Sequence, residues 1–154
     1  MAKKTATKKS PEKKPAKKIA ATKKRSSSSK STKRNIKTKE EPKDFLVNAV
    51  IEGMKERKAL NIKLLDLRDI QNRVSDFFVI SEAESTTHVN SIADSVSETV
   101  KKLTGERPFH TEGWENSQWI LLDYVNVVAH VFMRETREFY NIEGLWSDAK
   151  ITDC

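Results

Sequence analysis

The chain has 154 residues and a formal net charge of +7, with 29 Lys and Arg against 22 Asp and Glu. Its one cysteine, Cys154, excludes an internal disulfide, so nothing indicates an oxidising compartment. No apolar run approaches the roughly 18–20 residues that span a bilayer, which excludes a transmembrane helix.

The charge of the chain changes sign near residue 43. Residues 1–43 contain 17 basic side chains (Lys and Arg) and 3 acidic ones (Asp and Glu), whereas residues 44–154 contain 12 basic and 19 acidic side chains. The basic segment has almost no large apolar side chains to bury, which is typical of disorder. The acidic remainder is rich in Val, Ile, Leu and aromatic residues and is the size of one domain. We therefore predict a disordered Lys-rich tail over residues 1–43 and one folded domain over residues 44–154.

The predicted tail would attract any polyphosphate, because its cations can release counterions from a nucleic-acid backbone without reading the bases. Non-specific contact with rRNA is therefore one expectation for it. A solubilising tail and a nucleic-acid-binding module carried by the tail are the alternatives, since charge runs carry no geometry. Lys dominates over Arg and no amphipathic stripe is present, which disfavours an organellar presequence. We expect a cytoplasmic protein without a membrane partner, although an organellar setting stays open.

The acidic domain begins with a helical pattern and continues with two strands. Apolar residues at i, i+3 and i+4 spacing predict a helix over 44–58, and strands are predicted over 61–67 and 76–81. A second helix follows, with Ser85 as a candidate N-cap and Gly105 as a candidate C-cap. A strand that leads into a helix of this length indicates a crossover connection, and hence at least one parallel pair of strands.

The last third of the chain predicts more strands and a final helix. A short strand is expected in the stretch after Pro108, and two strong strands over 118–123 and 127–132 are close enough to form a hairpin. A closing helix is predicted over 134–146. The order α-β-β-α-β-β-β-α predicts an α/β or α+β domain, with a small mixed sheet flanked by helices.

Signals of enzymatic chemistry are weak in this sequence. It has no glycine-rich phosphate loop, and its histidines lie far apart with no cysteine nearby, so no zinc pattern exists: His88, His110 and His130. We expect His130 to be a core histidine and His88 to make structural hydrogen bonds. A residual nucleotidyltransferase that binds Mg²⁺ through Asp66, Asp69 or Asp76 is the enzymatic alternative. Because no phosphate-binding loop accompanies these aspartates, we predict no catalytic residue, no metal and no cofactor.

The strand over 118–123 and the final helix carry side chains of the types that are enriched in protein interfaces. Strand alternation puts three of them on one face, and helical spacing aligns three more. We therefore predict a partner-binding surface formed by Trp119, Leu121, Asp123, Met133, Arg137 and Tyr140. Core packing is the alternative for Trp119, Met133 and Tyr140. For Arg137 the alternative is an internal pair with Asp123 or Glu143.

Two other aromatic residues of the final helix, Phe139 and Trp146, are expected in the core. The helical spacing places them on one stripe with Ile142, which is the pattern of a helix face that packs on a sheet.

Several stretches together resemble a known family. They are D-F-F-V-I at 76–80, S-x-x-H-V-x-S-I-A-D at 85–94, E-G at 112–113 and W-I-L-L-D-Y-V-N-V-V-A-H-V-F at 119–132, followed by R-E-F-Y-N-I-E-G-L-W at 137–146. Over residues 44–150 the chain resembles the Iojap/RsfS family of ribosomal silencing factors. Ile142 stands where the family usually has Leu, which is a mild departure.

The resemblance implies a fold similar to nucleotidyltransferase domains without their catalytic residues. It implies binding to the large ribosomal subunit through large-subunit protein fourteen, on the face that meets the small subunit. Docking there would block subunit joining and repress translation when nutrients are scarce. Plant and mitochondrial relatives act in organelle ribosome assembly, so an assembly factor is the alternative function, and a homodimer stays open.

Overall fold

The structure, a computed structural model, describes residues 42–154. The predicted tail of residues 1–43 therefore lies outside the described residues, except that Pro42 and Lys43 already belong to the first helix. Proline suits the start of a helix, where its missing N–H would have no intrahelical acceptor. The elements are α1 Pro42–Glu56, β1 Leu60–Asp66, β2 Phe77–Ala83, α2 Thr86–Thr104, β3 His110–Glu112, β4 Trp119–Asp123, β5 Val127–Met133, α3 Arg134–Tyr140, α4 Ile142–Leu145 and β6 Lys150–Asp153.

The six strands form one mixed sheet in the order β3-β4-β5-β2-β1-β6. At its centre β2 and β5 run parallel, from Phe77 opposite Val127 to Ala83 opposite Met133, and the other described strand pairs are antiparallel. The predicted parallel pair and the predicted hairpin, which joins β4 to β5, are both confirmed. The class of a mixed α+β domain with helices on its sheet is confirmed as well.

Helix α2 begins and ends at the predicted caps. The Ser85 side chain accepts a hydrogen bond from the backbone N–H of His88, and Gly105 has a φ of 79°, which favours glycine. Between the caps, Val89, Ile92 and Val96 face the sheet and are fully buried. No helix within residues 42–154 has both the length and the apolar character needed to cross a bilayer.

The two faces of the sheet are covered to different extents. Ile120 and Leu122 of β4 are fully buried in the larger core, which α1 and α2 close. Trp119 and Leu121 lie on the opposite face, where they are half-buried against a smaller cluster: Leu65, Leu67, Phe78, Ile80, Val128, Phe132 and Ala149. The predicted alternation of β4 is therefore confirmed, and the second face is covered only in part, by the C-terminal segment.

Two expectations for the C-terminal end were wrong, and one strand was missed. The helix predicted over 134–146 is broken at Asn141, whose φ of 42° ends α3 before α4 begins. The short strand β6, which pairs with β1, was not predicted, because four exposed residues carry no alternating apolar pattern. Phe139 is not in the core but is 81% exposed, since the break removes it from the stripe of Ile142 and Trp146. Trp146 does pack on the sheet, edge-on to Phe78.

Candidate partner-binding site

Four aromatic rings run from the core to the surface at the end of the sheet where α3 begins. Trp119 stacks on buried Phe132 with ring centroids 4.8 Å apart, and Tyr140 lies 5.1 Å from Trp119. Phe139 then meets Tyr140 edge-on at 5.1 Å. We call these four residues the aromatic row. Its outer end is open to solvent, because Tyr140 is 49% exposed and Phe139 81% exposed.

A buried histidine holds the central ring of the aromatic row. The indole N–H of Trp119 donates a hydrogen bond to Nδ1 of His130 at 3.3 Å. Burial lowers the pKa of His130 to about 4, so its ring is neutral at pH 7 and Nδ1 keeps the lone pair that this bond needs. Nε2 has no hydrogen-bond partner among the described residues, and the Phe78 ring lies edge-on at 4.8 Å. The prediction of a core histidine is confirmed, but no pattern in the sequence indicated its bond to Trp119.

A groove of about 260 Å³ lies beside the aromatic row. Trp119, Leu121 and Tyr140 form one side of the groove. Glu112 reaches it from β3, with its carboxylate largely exposed and 2.7 Å from Nε2 of His110. The groove therefore combines aromatic and apolar walls with an acidic edge.

The structure brings together three of the six predicted site residues: Trp119, Leu121 and Tyr140. Asp123 stays on the same face of β4 but lies at the far end, where its Oδ1 accepts a hydrogen bond from the backbone N–H of Val125 at 2.7 Å. Met133 lies on the opposite face, half-buried against the core that α1 and α2 close. Met133 is the last residue of β5 and α3 begins only at Arg134, so the helical spacing that grouped Met133 with Arg137 and Tyr140 does not apply to it.

Arg137 is buried, with only 7% of its surface exposed. Its Nε and Nη2 donate to Oε1 of Glu143 at 2.9 and 2.6 Å, and its Nη1 donates to Oε2 of Glu82 at 3.1 Å. Of the two internal partners considered from the sequence, Glu143 is the one observed. Burial raises the pKa of Glu143, but the hydrogen bonds from Arg137, a backbone hydrogen bond and the positive charges of Arg137 and Lys63 together hold that pKa below its ordinary value.

Two of the three aspartates of the enzymatic alternative, Asp66 and Asp76, form ion pairs with arginines. Asp66 accepts hydrogen bonds from Nε and Nη2 of Arg68, which hold the pKa of the carboxyl below its usual range, and Asp76 accepts from Nε of Arg73. Within residues 42–154, no group of three or more His, Cys, Asp or Glu side chains could hold a metal ion. His88 is also structural, because its Nε2 lies 2.7 Å from the carbonyl oxygen of Arg57 at the end of α1.

Residues 37–154 match the model of one family, described as "Ribosomal silencing factor during starvation". The chain belongs to this family. A ribosomal silencing factor RsfS from Halalkalibacterium halodurans is 33% identical over 104 residues, which cover 68% of this chain and 87% of the relative. The mouse protein named "Mitochondrial assembly of ribosomal large subunit protein 1" is 26% identical over 105 residues, or 67% of this chain and 46% of that protein.

The fold is also similar to that of a solved structure. A crystal structure of a protein from Chromobacterium violaceum superposes with a TM-score of 0.62 at 27% identity and covers 66% of this chain and 83% of that one. The names of the silencing-factor family and of its relatives describe regulation and assembly of ribosomes, not catalysis. The prediction that the chain is not an enzyme agrees with them.

Proposed function

We propose that this silencing factor docks on the large ribosomal subunit through large-subunit protein fourteen and prevents the small subunit from joining. The observation that carries the proposal is the open end of the aromatic row. Phe139, Tyr140 and Leu145 lie within seven residues of one another and are 81%, 49% and 76% exposed. Exposed clusters of large apolar side chains in a soluble domain are characteristic of interaction sites.

The proposed docking surface consists of Trp119, Leu121, Phe139 and Tyr140, together with the groove beside them. Tyr140 would be its central anchor, because the residue is half-exposed while its ring lies against Trp119. Aromatic residues that fill a pocket on the partner usually carry most of the binding energy.

Charge supports a basic partner for this surface. Residues 44–154 carry 19 acidic against 12 basic side chains, and Glu112 places a carboxylate at the edge of the groove. An acidic domain is attracted to basic ribosomal proteins, which speeds encounter and favours the correct orientation. The tail of residues 1–43 has the opposite charge, and we propose that it adds non-specific attraction to rRNA.

The proposed mechanism is steric occlusion, so no bond is made or broken. A folded domain bound where the two subunits meet occupies volume that the small subunit needs. Repression then depends on the occupancy of the large subunit, which is set by the dissociation constant and the concentration of the factor.

Co-sedimentation with purified large subunits tests the proposal, first alone and then with small subunits added. We expect the full chain to pellet with large subunits and to reduce the yield of joined ribosomes. Tyr140→Ala should weaken both effects. Phe109→Ala is the control, because Phe109 is also an exposed aromatic residue, 82% against 49% for Tyr140, and it lies at the far end of β4 next to Asp123. If Tyr140→Ala stays folded and still blocks joining, the docking surface is assigned wrongly.

The name of the mouse relative favours assembly of the large subunit as the second candidate function. The two functions differ in the particle that is bound. A silencing factor binds mature large subunits, whereas a factor that acts only in assembly binds precursor particles and leaves mature subunits free to join. Sedimentation of the full chain with both types of particle distinguishes them.

A further inference from the structure

Arg137 and Glu143 meet only because the helix between them is broken. Six residues of a continuous α-helix, at about 100° each, would turn the two side chains to different sides. Asn141 ends α3 in the left-handed region, and its side chain accepts a hydrogen bond from the N–H of Gly144 to start α4. This reversal brings Oε1 of Glu143 to within 2.6 Å of the guanidinium of Arg137.

A bulge in β1 supplies the other side of the same arrangement. The register of β1 against β2 shifts between Leu60 and Lys63, and Asn61 has a φ of 46°. The bulge turns the carbonyl oxygen of Asn61 toward Nη1 of Arg137, at 2.8 Å, and its Nδ2 toward Oε1 of Glu82, at 2.6 Å. Bulges commonly re-aim a side chain next to functional sites.

The four residues Asn61, Glu82, Arg137 and Glu143 therefore form one polar arrangement, which we call the Arg137 junction, and the ion pair of Glu82 and Arg137 at its centre is buried. It joins β1, β2, α3 and α4. Burying such charges costs desolvation energy, so a junction of this kind contributes little net stability, and its best-supported role is to fix geometry. The planar guanidinium suits that role, because its donors point in fixed directions.

Helix α3 is tied to the sheet by this junction and by Arg134, whose Nε donates to Oε1 of Glu82 at 3.4 Å. Among its seven residues, all of them described, Arg137 alone is buried. No apolar side chain of α3 is inserted into the core, so the helix is held by hydrogen bonds and charge. Tyr140 follows Arg137 by three residues, almost one turn, and its ring rests 5.1 Å from Trp119.

We propose that Arg137 is a positioning residue, which through the junction holds Tyr140 against Trp119 and thereby presents the docking surface in its binding geometry. The inference rests on the proposed function, since the surface that is positioned is the one proposed to dock. Arg137 and Glu143 do not line the groove beside Trp119 and Tyr140.

The test compares Arg137→Lys with Glu138→Gln in the full chain. Lysine keeps the charge but cannot reach Glu82, Glu143 and the Asn61 carbonyl together. Glu138 lines a second groove, which lies over the junction, and it makes none of the junction's hydrogen bonds. Glu138→Gln is therefore the matched control. Two quantities are measured at a temperature where each variant is folded by circular dichroism. One is the set of nuclear Overhauser contacts between the rings of Trp119 and Tyr140 in the free protein, and the other is the dissociation constant for large subunits.

We expect Arg137→Lys to lose the contacts between Trp119 and Tyr140 and to bind large subunits at least about tenfold more weakly. Glu138→Gln should match the wild type in both. A role confined to stability would lower the melting temperature of Arg137→Lys and leave both quantities unchanged in the folded variant, and this result would overturn the proposal. If Arg137→Lys does not fold, Glu143→Gln is judged by the same two measurements. If the wild type fails to bind large subunits, the proposed function fails, and the ring contacts still decide whether Arg137 positions Tyr140.

Discussion

The indole N–H of Trp119 and Nδ1 of His130 are joined by a hydrogen bond of 3.3 Å between neighbouring strands. The bond exists only while His130 is neutral, because a protonated ring would carry a hydrogen on both nitrogens. Burial favours the neutral ring and lowers the pKa of His130 to about 4. The position of a predicted docking residue therefore depends on the protonation state of a core side chain.

We expect the domain to lose stability in mild acid through His130. In the unfolded chain His130 has an ordinary pKa of about 6.5 and takes up a proton as the pH falls, whereas the folded chain does not until about pH 4. The stabilisation is thus complete above pH 6.5 and is lost between pH 6.5 and 4, by about 3 kcal/mol. Urea unfolding at pH 7.0 and pH 4.5 measures it. His130→Phe should remove this loss of stability, whereas His110→Gln, at an exposed histidine, should retain it. An equal difference in unfolding free energy between the two pH values for the wild type and both variants would contradict the assignment.

Val125 occupies a strained turn between β4 and β5, and we expect Val125→Gly to stabilise the domain. Its φ is 71°, and the N–H of Asn126 bonds the carbonyl of Tyr124 across it, which is a tight γ-turn that a β-branched residue adopts poorly. Val125 is 60% exposed, so little apolar burial is lost. Glycine relieves the strain in the folded state but also increases the conformational entropy of the unfolded chain. The net effect should raise the free energy of unfolding by about 1 kcal/mol. Val74→Gly, at an exposed valine without positive φ, should give no gain; a lower melting temperature for Val125→Gly would show that the turn is not strained.

Tyr140→Ala and Met133→Ala should separate docking from packing. We expect Tyr140→Ala to weaken binding to large subunits by about 2 kcal/mol, or roughly thirtyfold. The change in stability should be small, because Tyr140 is half-exposed. Met133→Ala removes a side chain from the core under α1 and α2, so it should lower the free energy of unfolding by about 1–2 kcal/mol and leave the affinity of the folded protein unchanged. Affinity measurements alongside urea unfolding check both, and the reverse pattern would place Met133 in the docking surface.

Removal of residues 1–41 should leave the stability of the domain nearly unchanged and reduce the salt dependence of ribosome binding. The reason is the excess of cations in this segment, each of which can release counterions from a phosphate backbone. The slope of the logarithm of affinity against the logarithm of salt concentration should be shallower for the truncated chain. Identical slopes for the two forms would mean that the tail does not contact rRNA.

The elements that the sequence predicted well are those set by local patterns. Trp119 to Asp123 alternate between two faces because strand geometry dictates it, and Ser85 and Gly105 bound α2 because each satisfies a backbone requirement at its own position. The Arg137 junction depends instead on Glu82, 55 residues away, and on a bulge that no local pattern signals. An arginine in an amphipathic helix is usually at the surface, so its burial could not be read from spacing.

The central pairing of β2 with β5 also affects how the protein is made. Phe77 and Val127 are neighbours in the sheet, yet 50 residues of chain separate them. Contacts of such long range form late and slow the folding of a domain. During its own synthesis, the chain therefore has an incomplete sheet until β5 has emerged, and α3, which carries Tyr140, emerges later still. If the protein docks through Tyr140, as proposed, it would thus be unable to bind a large subunit before its own chain is nearly finished.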